Sequence, residues 1–228
     1  MEATNDCSSK CSCRVLEFLE SSIGKKIAVA LAGLLLCGFL ITHLAGNLFM
    51  FRGQESFNNY ATMLESNPLL PLAEGGLLVL FLIHIALSLR ARLADAAARP
   101  TAYQVYKGKD ARTPGSRTMA LTGSLILAFI VIHVATVKYR IGGAKGPDLF
   151  AHVTRWFANP LYSAFYVLAV AGVALHLSHG VQSALQTFGV SHPRYTPLIK
   201  AAGLAFAGLM FLGFSSMPVY FYLTGGAQ

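Results

Sequence analysis

The sequence predicts an all-α integral membrane protein of five transmembrane helices, with the N-terminus cytoplasmic and the C-terminus periplasmic. Three observations predict it. Of the 228 residues, 54% are hydrophobic and only 12% charged, about half the charged share of an ordinary soluble domain. The charge-poor stretches fall into five apolar runs, each near or above the roughly 20 residues that a helix needs to cross a bilayer. Lys and Arg crowd onto one side of those runs.

Residues 1–26 read as a cytoplasmic tail and interfacial segment, residues 27–223 as the transmembrane domain, and residues 224–228 as an outer tail. Within the tail, Arg14 to Ser21 reads as a short surface helix. The first span, Ile27–Phe51, is too long for the roughly 7–15-residue apolar stretch of a signal peptide, and a polar-rich segment precedes it. The second span, about Leu69–Leu89, is interrupted by Glu74, and the third is Thr118–Val137. The stretch Asp148–Phe157, with Phe150, Val153, Trp156 and Phe157, reads as an amphipathic helix on the outer surface. The fourth span, about Pro160–Phe188, is longer than a bilayer requires, so it tilts or bends at its ends. The fifth is Ala201–Leu223. No loop exceeds about 30 residues, too short for an independent core.

Orientation follows from the basic residues. With the N-terminus inside, 13 Lys and Arg fall on inner segments, seven of them between Arg90 and Arg117, and 5 on outer ones (Arg52, Lys138, Arg140, Lys145, Arg155). That bias is the positive-inside pattern. It also explains the net charge of +8 and argues against nucleic-acid binding, because the charges flank spans instead of forming one face. The Arg90–Arg117 loop, with Arg99, Pro100, Tyr103 and Tyr106, suits a soluble partner or lipid headgroups. Cys7, Cys11 and Cys13 lack a fourth ligand for a zinc site and read as a reduced tail.

The first four spans carry His43, His84, His133 and His176. A histidine in lipid is costly and needs a partner. Spans one and three run outward: His43 lies 17 residues past Lys26 and His133 lies 16 past Arg117, so both sit roughly 25 Å from the inner edge. Spans two and four run inward, and His84 is 6 residues before Arg90, roughly 9 Å from that edge. His176, before the polar exit at Gln182 and Gln186, lies at roughly 9–15 Å. Depth therefore pairs His43 with His133 on the outer side and His84 with His176 on the inner side. Two imidazoles at one depth make an axial pair for a haem iron, so two haems b are expected. A metal transporter would need carboxylates or thiolates beside the histidines at mid-span; no span carries Asp or Glu near its centre, and Cys37 is the one thiol within a span.

Gly33 and Gly123 each precede a histidine of the outer pair by ten residues, which puts them near the level of the inner pair. A residue without a side chain lets a planar macrocycle approach, and ordinary small-residue helix packing explains the glycines equally well. Gly180 follows His176 by four residues and leaves room beside it. His179 is the rival of His176 as ligand; nearer the inner surface, it suits a propionate or quinone contact. His152 and His192 read as solvated loop residues.

Several short motifs together carry a resemblance. They are Ser22-Ile-Gly-Lys-Lys26, His43-Leu-Ala-Gly-Asn47-Leu, Phe57-Asn-Asn-Tyr-Ala61, Ala98-Arg-Pro100 with Tyr103, Ser116-Arg-Thr-Met119 with Thr122-Gly123, and His176-Leu-Ser-His-Gly180 followed by Ser183-Ala-Leu-Gln-Thr-Phe-Gly189. In this order across five spans the chain resembles the dihaem cytochrome b membrane-anchor subunit of succinate:quinone oxidoreductases and quinol:fumarate reductases, the complex II family. The resemblance implies four ligands on the first four helices, paired one with three and two with four. It implies a flavoprotein partner with FAD that handles succinate and fumarate, and an iron–sulfur partner that feeds electrons to the inner haem. It also implies a bacterial inner-membrane location with the catalytic partners on the cytoplasmic side. A dihaem cytochrome of a hydrogenase or formate dehydrogenase, or a haem-free anchor, are the other readings.

Inner-haem propionates are expected to meet Ser22, Lys25, Arg90, Arg117 or His179, because a buried carboxylate needs a partner. A menaquinone-type site is expected near the outer haem, at the outer mouth of the first two spans. There Glu55, Glu65 and Glu74 would exchange the quinone's protons, burial raising a carboxyl pKa. An inner quinone site near Ser22, Arg117 and His179 is the competitor.

Overall fold

A computed structural model describes residue 17 and residues 21–98, 114–143, 146 and 148–225. The cysteine cluster, most of the Arg14–Ser21 segment, and Arg99, Pro100, Tyr103 and Tyr106 lie outside the described residues. Among the described residues all regular structure is helical: α1 (Ser22–Asn47), α2 (Gln54–Glu65), α3 (Leu70–Ala97), α4 (Pro114–His133), α5 (Leu149–Phe157), α6 (Pro160–Thr187) and α7 (Thr196–Leu223). A 3-10 turn, Leu48–Arg52, extends α1, and a π-helical turn, Val134–Lys138, extends α4. Five of these units are long and apolar enough to cross a membrane.

The helix ends follow from local chemistry. Ser21 caps α1, its hydroxyl accepting from the Gly24 N–H at 2.9 Å, so the helix begins five residues before the apolar run does. Asn159 caps α6, its side-chain oxygen accepting from Leu161 and Tyr162 N–H, with Pro160 pre-set for the first helical position. The second span's helix does not stop at Leu89. Arg90-Ala-Arg-Leu-Ala-Asp-Ala-Ala97 is built of good helix formers, so α3 continues to Ala97 although its lipid-matching part has ended. The fourth span is one helix of 28 residues, roughly 42 Å long against a hydrocarbon core of about 30 Å. It must tilt or project.

Helix α6 is the hub, packed against α7, α4 and α1. Helix α3 lies along α1 and has no buried residue. Small residues permit close crossings: a Cβ on Gly213 of α7 would stand 2.7 Å from a Leu44 methyl of α1. Large apolar side chains such as Leu31, Leu72, Leu168 and Leu212 point outward, where a bilayer is the natural solvent.

The densest packing is at the end where α1 and α4 finish. There α2 and α5 lie across the bundle, with Phe57, Phe150, Val153 and Phe157 buried against Met50, Met217 and Phe221. The expected helix over Asp148–Phe157 is present, and its apolar side chains are protein core. Asp148 ties the two short helices together. Its carboxylate accepts from Ala151 N–H (2.9 Å), Asn58 Nδ2 (2.8 Å) and Gln54 Nε2 (2.5 Å), and Asn58 in turn accepts from Phe150 N–H. The Ala151 N–H first, then Asn58, Gln54 and the nearby Arg140 charge, hold the Asp148 carboxyl below the usual carboxylate range. A depressed folded-state pKa means the tie is complete at neutral pH and is lost as pH falls through that lowered value.

Candidate functional site

Four helices deliver the histidines. His43 of α1 and His133 of α4 stand with ring centres 5.9 Å apart and planes at 88°. Phe39 stacks on His43 at 5.1 Å, and Phe214 of α7 covers it at 5.8 Å. The Nδ1 of His133 lies 3.0 Å from the buried Tyr166 hydroxyl. Just past His133, α4 widens into the π-helical turn, a distortion common at functional sites. It brings the Thr136 hydroxyl to 2.7 Å from that of Tyr162, which is 2.9 Å from that of Tyr166. Among the described residues Nδ1 of His43 has no comparable contact.

The other pair is His84 of α3 and His176 of α6, with ring centres 6.4 Å apart and planes at 68°. Nδ1 of His84 lies 3.3 Å from the Val29 carbonyl of α1. A carbonyl only accepts, so this nitrogen carries the proton and Nε2 keeps a lone pair. Nδ1 of His176 lies 3.2 Å from Thr122 Oγ1, and that hydroxyl faces the Thr118 carbonyl at 2.9 Å. The threonine proton goes to the carbonyl, so Nδ1 of His176 donates and its Nε2 is also free. Ligating histidines generally donate their second N–H in this way.

A Cβ on Gly33 would stand 3.2 Å from Cε1 of His84, and one on Gly123 would stand 3.7 Å from Cε1 of His176. Bare helix surface therefore lies beside each imidazole of this pair. At Gly180 a Cβ would meet nothing within 4 Å, so protein contacts do not demand glycine there.

The donor set suits haem. Two imidazoles bound through nitrogen to opposite sides of one metal stand with ring centres about 6 Å apart, given metal–nitrogen bonds of about 2 Å. Both pairs have that spacing. Among the described residues no three His, Cys, Asp or Glu side chains converge to hold a metal ion. Two nitrogens alone suit a metal whose other ligands come from its own macrocycle.

The remaining expected residues are dispersed. Ser22, Lys25 and Arg117 lie at the starts of α1 and α4, with Lys25 half-buried and the other two exposed. His179 is at the same end. Its Nδ1 is buried without a hydrogen-bond partner among the described residues, and α4 passes so close that a Cβ on Gly115 would stand 2.9 Å from its Cβ. At the opposite end Arg52 lies 5.7 Å over the Phe49 ring. Glu55 and Glu65 lie exposed on α2, and Glu74 of α3 is ion-paired with Lys138. None of the three carboxylates is buried, where burial was expected: Glu55 and Glu65 are on exposed positions of α2, and Glu74 reaches across to Lys138 at the surface.

His152 corrects the sequence reading in another way. It is on α5, only 6% exposed, and its Nε2 lies 2.8 Å from the Thr136 carbonyl. The π-helical turn frees that carbonyl from its usual helical partner and α5 folds over it. His192 is exposed in a loop, as expected. Sequence reasoning missed Thr122, Thr136, Tyr162 and Tyr166. The available signal was a set of hydroxyl residues inside otherwise apolar spans, Tyr162 and Tyr166 being one helical turn apart.

Comparison with known proteins bears on these pairs. Residues 98–214, just over half of the chain, match the family described as "Succinate dehydrogenase/Fumarate reductase transmembrane subunit". The chain is similar to the "Succinate dehydrogenase cytochrome b558 subunit" of Bacillus subtilis (strain 168), with 27% identity over 190 residues, 75% of this chain and 85% of that one. No solved structure matches the chain.

Proposed function

Because the chain belongs to the family of succinate dehydrogenase/fumarate reductase transmembrane subunits, we propose that it is a dihaem cytochrome b anchor, carrying electrons between an iron–sulfur partner and a membrane quinone. The observation that carries this reading is the pair of histidine pairs, each spaced for one metal, at two levels of one bundle. His43 and His133 hold the outer haem b, His84 and His176 the inner one. Each haem iron, when bound, carries one electron at a time between its ferric and ferrous states. The protein presents Nε2 lone pairs at fixed positions, orients the rings through Val29, Thr122 and Tyr166, and keeps water from the outer pair with Phe39, Phe129 and Phe214. Gly33 and Gly123 leave room beside the inner imidazoles. Ser22, Lys25, Arg117 and His179 lie at the end where inner propionates need cations or donors.

The succinate chemistry belongs to a flavoprotein partner with FAD, and the basic ends of the helices support a cytoplasmic side for both soluble partners at a bacterial inner membrane. Family membership favours this over a hydrogenase or formate dehydrogenase cytochrome. The assembled complex should contain two b haems per copy of this chain by pyridine haemochrome assay. One haem or none would leave a structural anchor as the better reading.

The quinone, of menaquinone type, is assigned to the outer end, and Glu74 is the best placed of the three candidate carboxylates. It starts the second membrane helix and faces Lys138, five residues past His133, so a carboxylate and an ammonium stand together at the outer mouth. With both haems retained, Glu74→Gln should lower quinone turnover about 10²-fold, the usual weight of a lost general acid or base. Glu55→Gln and Glu65→Gln are expected to have smaller effects. Parent-like turnover in all three, with loss in an Arg117 or His179 variant, would move the site to the inner end.

A further inference from the structure

We propose that His152, although it belongs to neither histidine pair, is a positioning residue of the outer one: it holds open the π-helical turn that sets His133 against His43. The inference rests on haem being held by His43 and His133, and extends that reading to a third imidazole.

Helix α4 reaches His133 as a regular α-helix and widens directly after it. The Tyr139 N–H bonds the Val134 carbonyl, five residues back, at 3.1 Å, and the Ile141 N–H bonds the Ala135 carbonyl, six back, at 3.0 Å. Both pass over the Thr136 carbonyl. A carbonyl left without a donor away from water is costly. His152 supplies that donor from α5, its Nε2 standing 2.8 Å away. The carbonyl only accepts, so Nε2 carries a proton whether the imidazole is neutral or charged. The ring is also fixed from behind. It is 6% exposed, and Gly143 lies so close to its Cε1–Nδ1 edge that a Cβ there would overlap the ring. Gly142, at φ 78°, lays the same loop on α5, where a Cβ would stand 3.1 Å from the Trp156 ring.

Helix α6 holds the other side of the turn. The Thr136 hydroxyl is 2.7 Å from that of Tyr162. Tyr162 donates to Tyr166 at 2.9 Å, and the Tyr166 hydroxyl lies 3.0 Å from Nδ1 of His133. Thr136 is thus gripped through its carbonyl by α5 and through its side chain by α6. A π turn sets the residues after it one position, roughly 100°, out of phase with a regular helix. Closing the turn would swing Thr136 off Tyr162 or His133 off His43. The inner pair has no counterpart, because among the described residues this is the one π-helical turn.

The test is EPR together with a spectroscopic redox titration of the purified complex. The low-spin ferric signal of a bis-imidazole haem depends on the angle between its ring planes, which is 88° in the outer pair. His152→Leu removes the donor and should shift the outer haem's signal. It should also favour reduction of that haem about tenfold, ~59 mV for a one-electron couple, because a tilted imidazole donates less to ferric iron. The inner haem should stay at its parent values. His152→Gln, whose amide still donates, should retain the parent signal and potential. Gly143→Ala pushes the imidazole off the carbonyl from the loop side and should act like His152→Leu. Gly146→Ala, where a Cβ meets nothing within 4 Å, should not. An unmoved outer haem in His152→Leu overturns the proposal. So does an equal shift in both haems, the mark of general loosening, or a His152→Gln no better than His152→Leu. If His152→Leu does not assemble, Gly143→Ala decides the matter by the same readings. A parent complex without an outer haem overturns the function proposed above, and this inference with it.

Discussion

His84→Ala should remove the inner haem and spare the outer one, taking the pyridine haemochrome value from two haems per chain to about one. His43→Ala should do the converse. The two pairs share no helix: His84 and His176 join α3 to α6, while His43 and His133 join α1 to α4. Deleting one imidazole leaves an iron with a single protein ligand, and it leaves the opposing ring's lone pair buried without a partner. Helix α3 has no buried residue among those described and packs mainly along α1, so removal of the His84 side chain opens no buried core cavity. The loss should therefore appear in haem content before it appears in assembly. Reduced-minus-oxidised spectra of the four single variants would decide it. Loss of both haems in every variant would mean that the pairs are not independent sites, and retention of both in His84→Ala would remove it as a ligand.

A comparable loss is expected when the bare surface beside the inner imidazoles is filled. At Gly33 a Cβ alone would come within 3.2 Å of His84 Cε1, and a valine adds two methyls that can only push the ring or the neighbouring macrocycle. Overpacking of this kind costs about 1–3 kcal/mol, which weakens inner-haem binding by roughly 5- to 150-fold at 1.4 kcal/mol per decade. Gly38→Val on the same helix is the control, because a Cβ there meets nothing within 4 Å. Gly33→Val should lower inner-haem occupancy while Gly38→Val behaves as the parent. Equal haem content in both would return Gly33 to ordinary helix packing.

The chain's sequence by itself determined five spans and the depth of each histidine. Both are one-dimensional properties: a run of apolar residues has a length set by the bilayer, and a helix converts residue count into height at a constant rise. Helix ends were less legible. Capping at Ser21 and the Ala-rich run to Ala97 extend helices past the apolar boundary, because helix propensity does not stop where lipid does. The positions of the carboxylates and of His152 were not legible at all. Whether Glu74 turns outward to Lys138, or His152 is buried under α5, depends on which face of one helix meets another, and on the π-helical turn at Val134–Lys138. Only the tertiary structure decided how the imidazoles are held. The Nδ1 partners Val29, Thr122 and Tyr166 come from 55, 54 and 33 residues away in sequence. A hydrogen bond of that kind forms between neighbouring helices, and helix neighbourhood is settled by packing rather than by any local pattern in the chain.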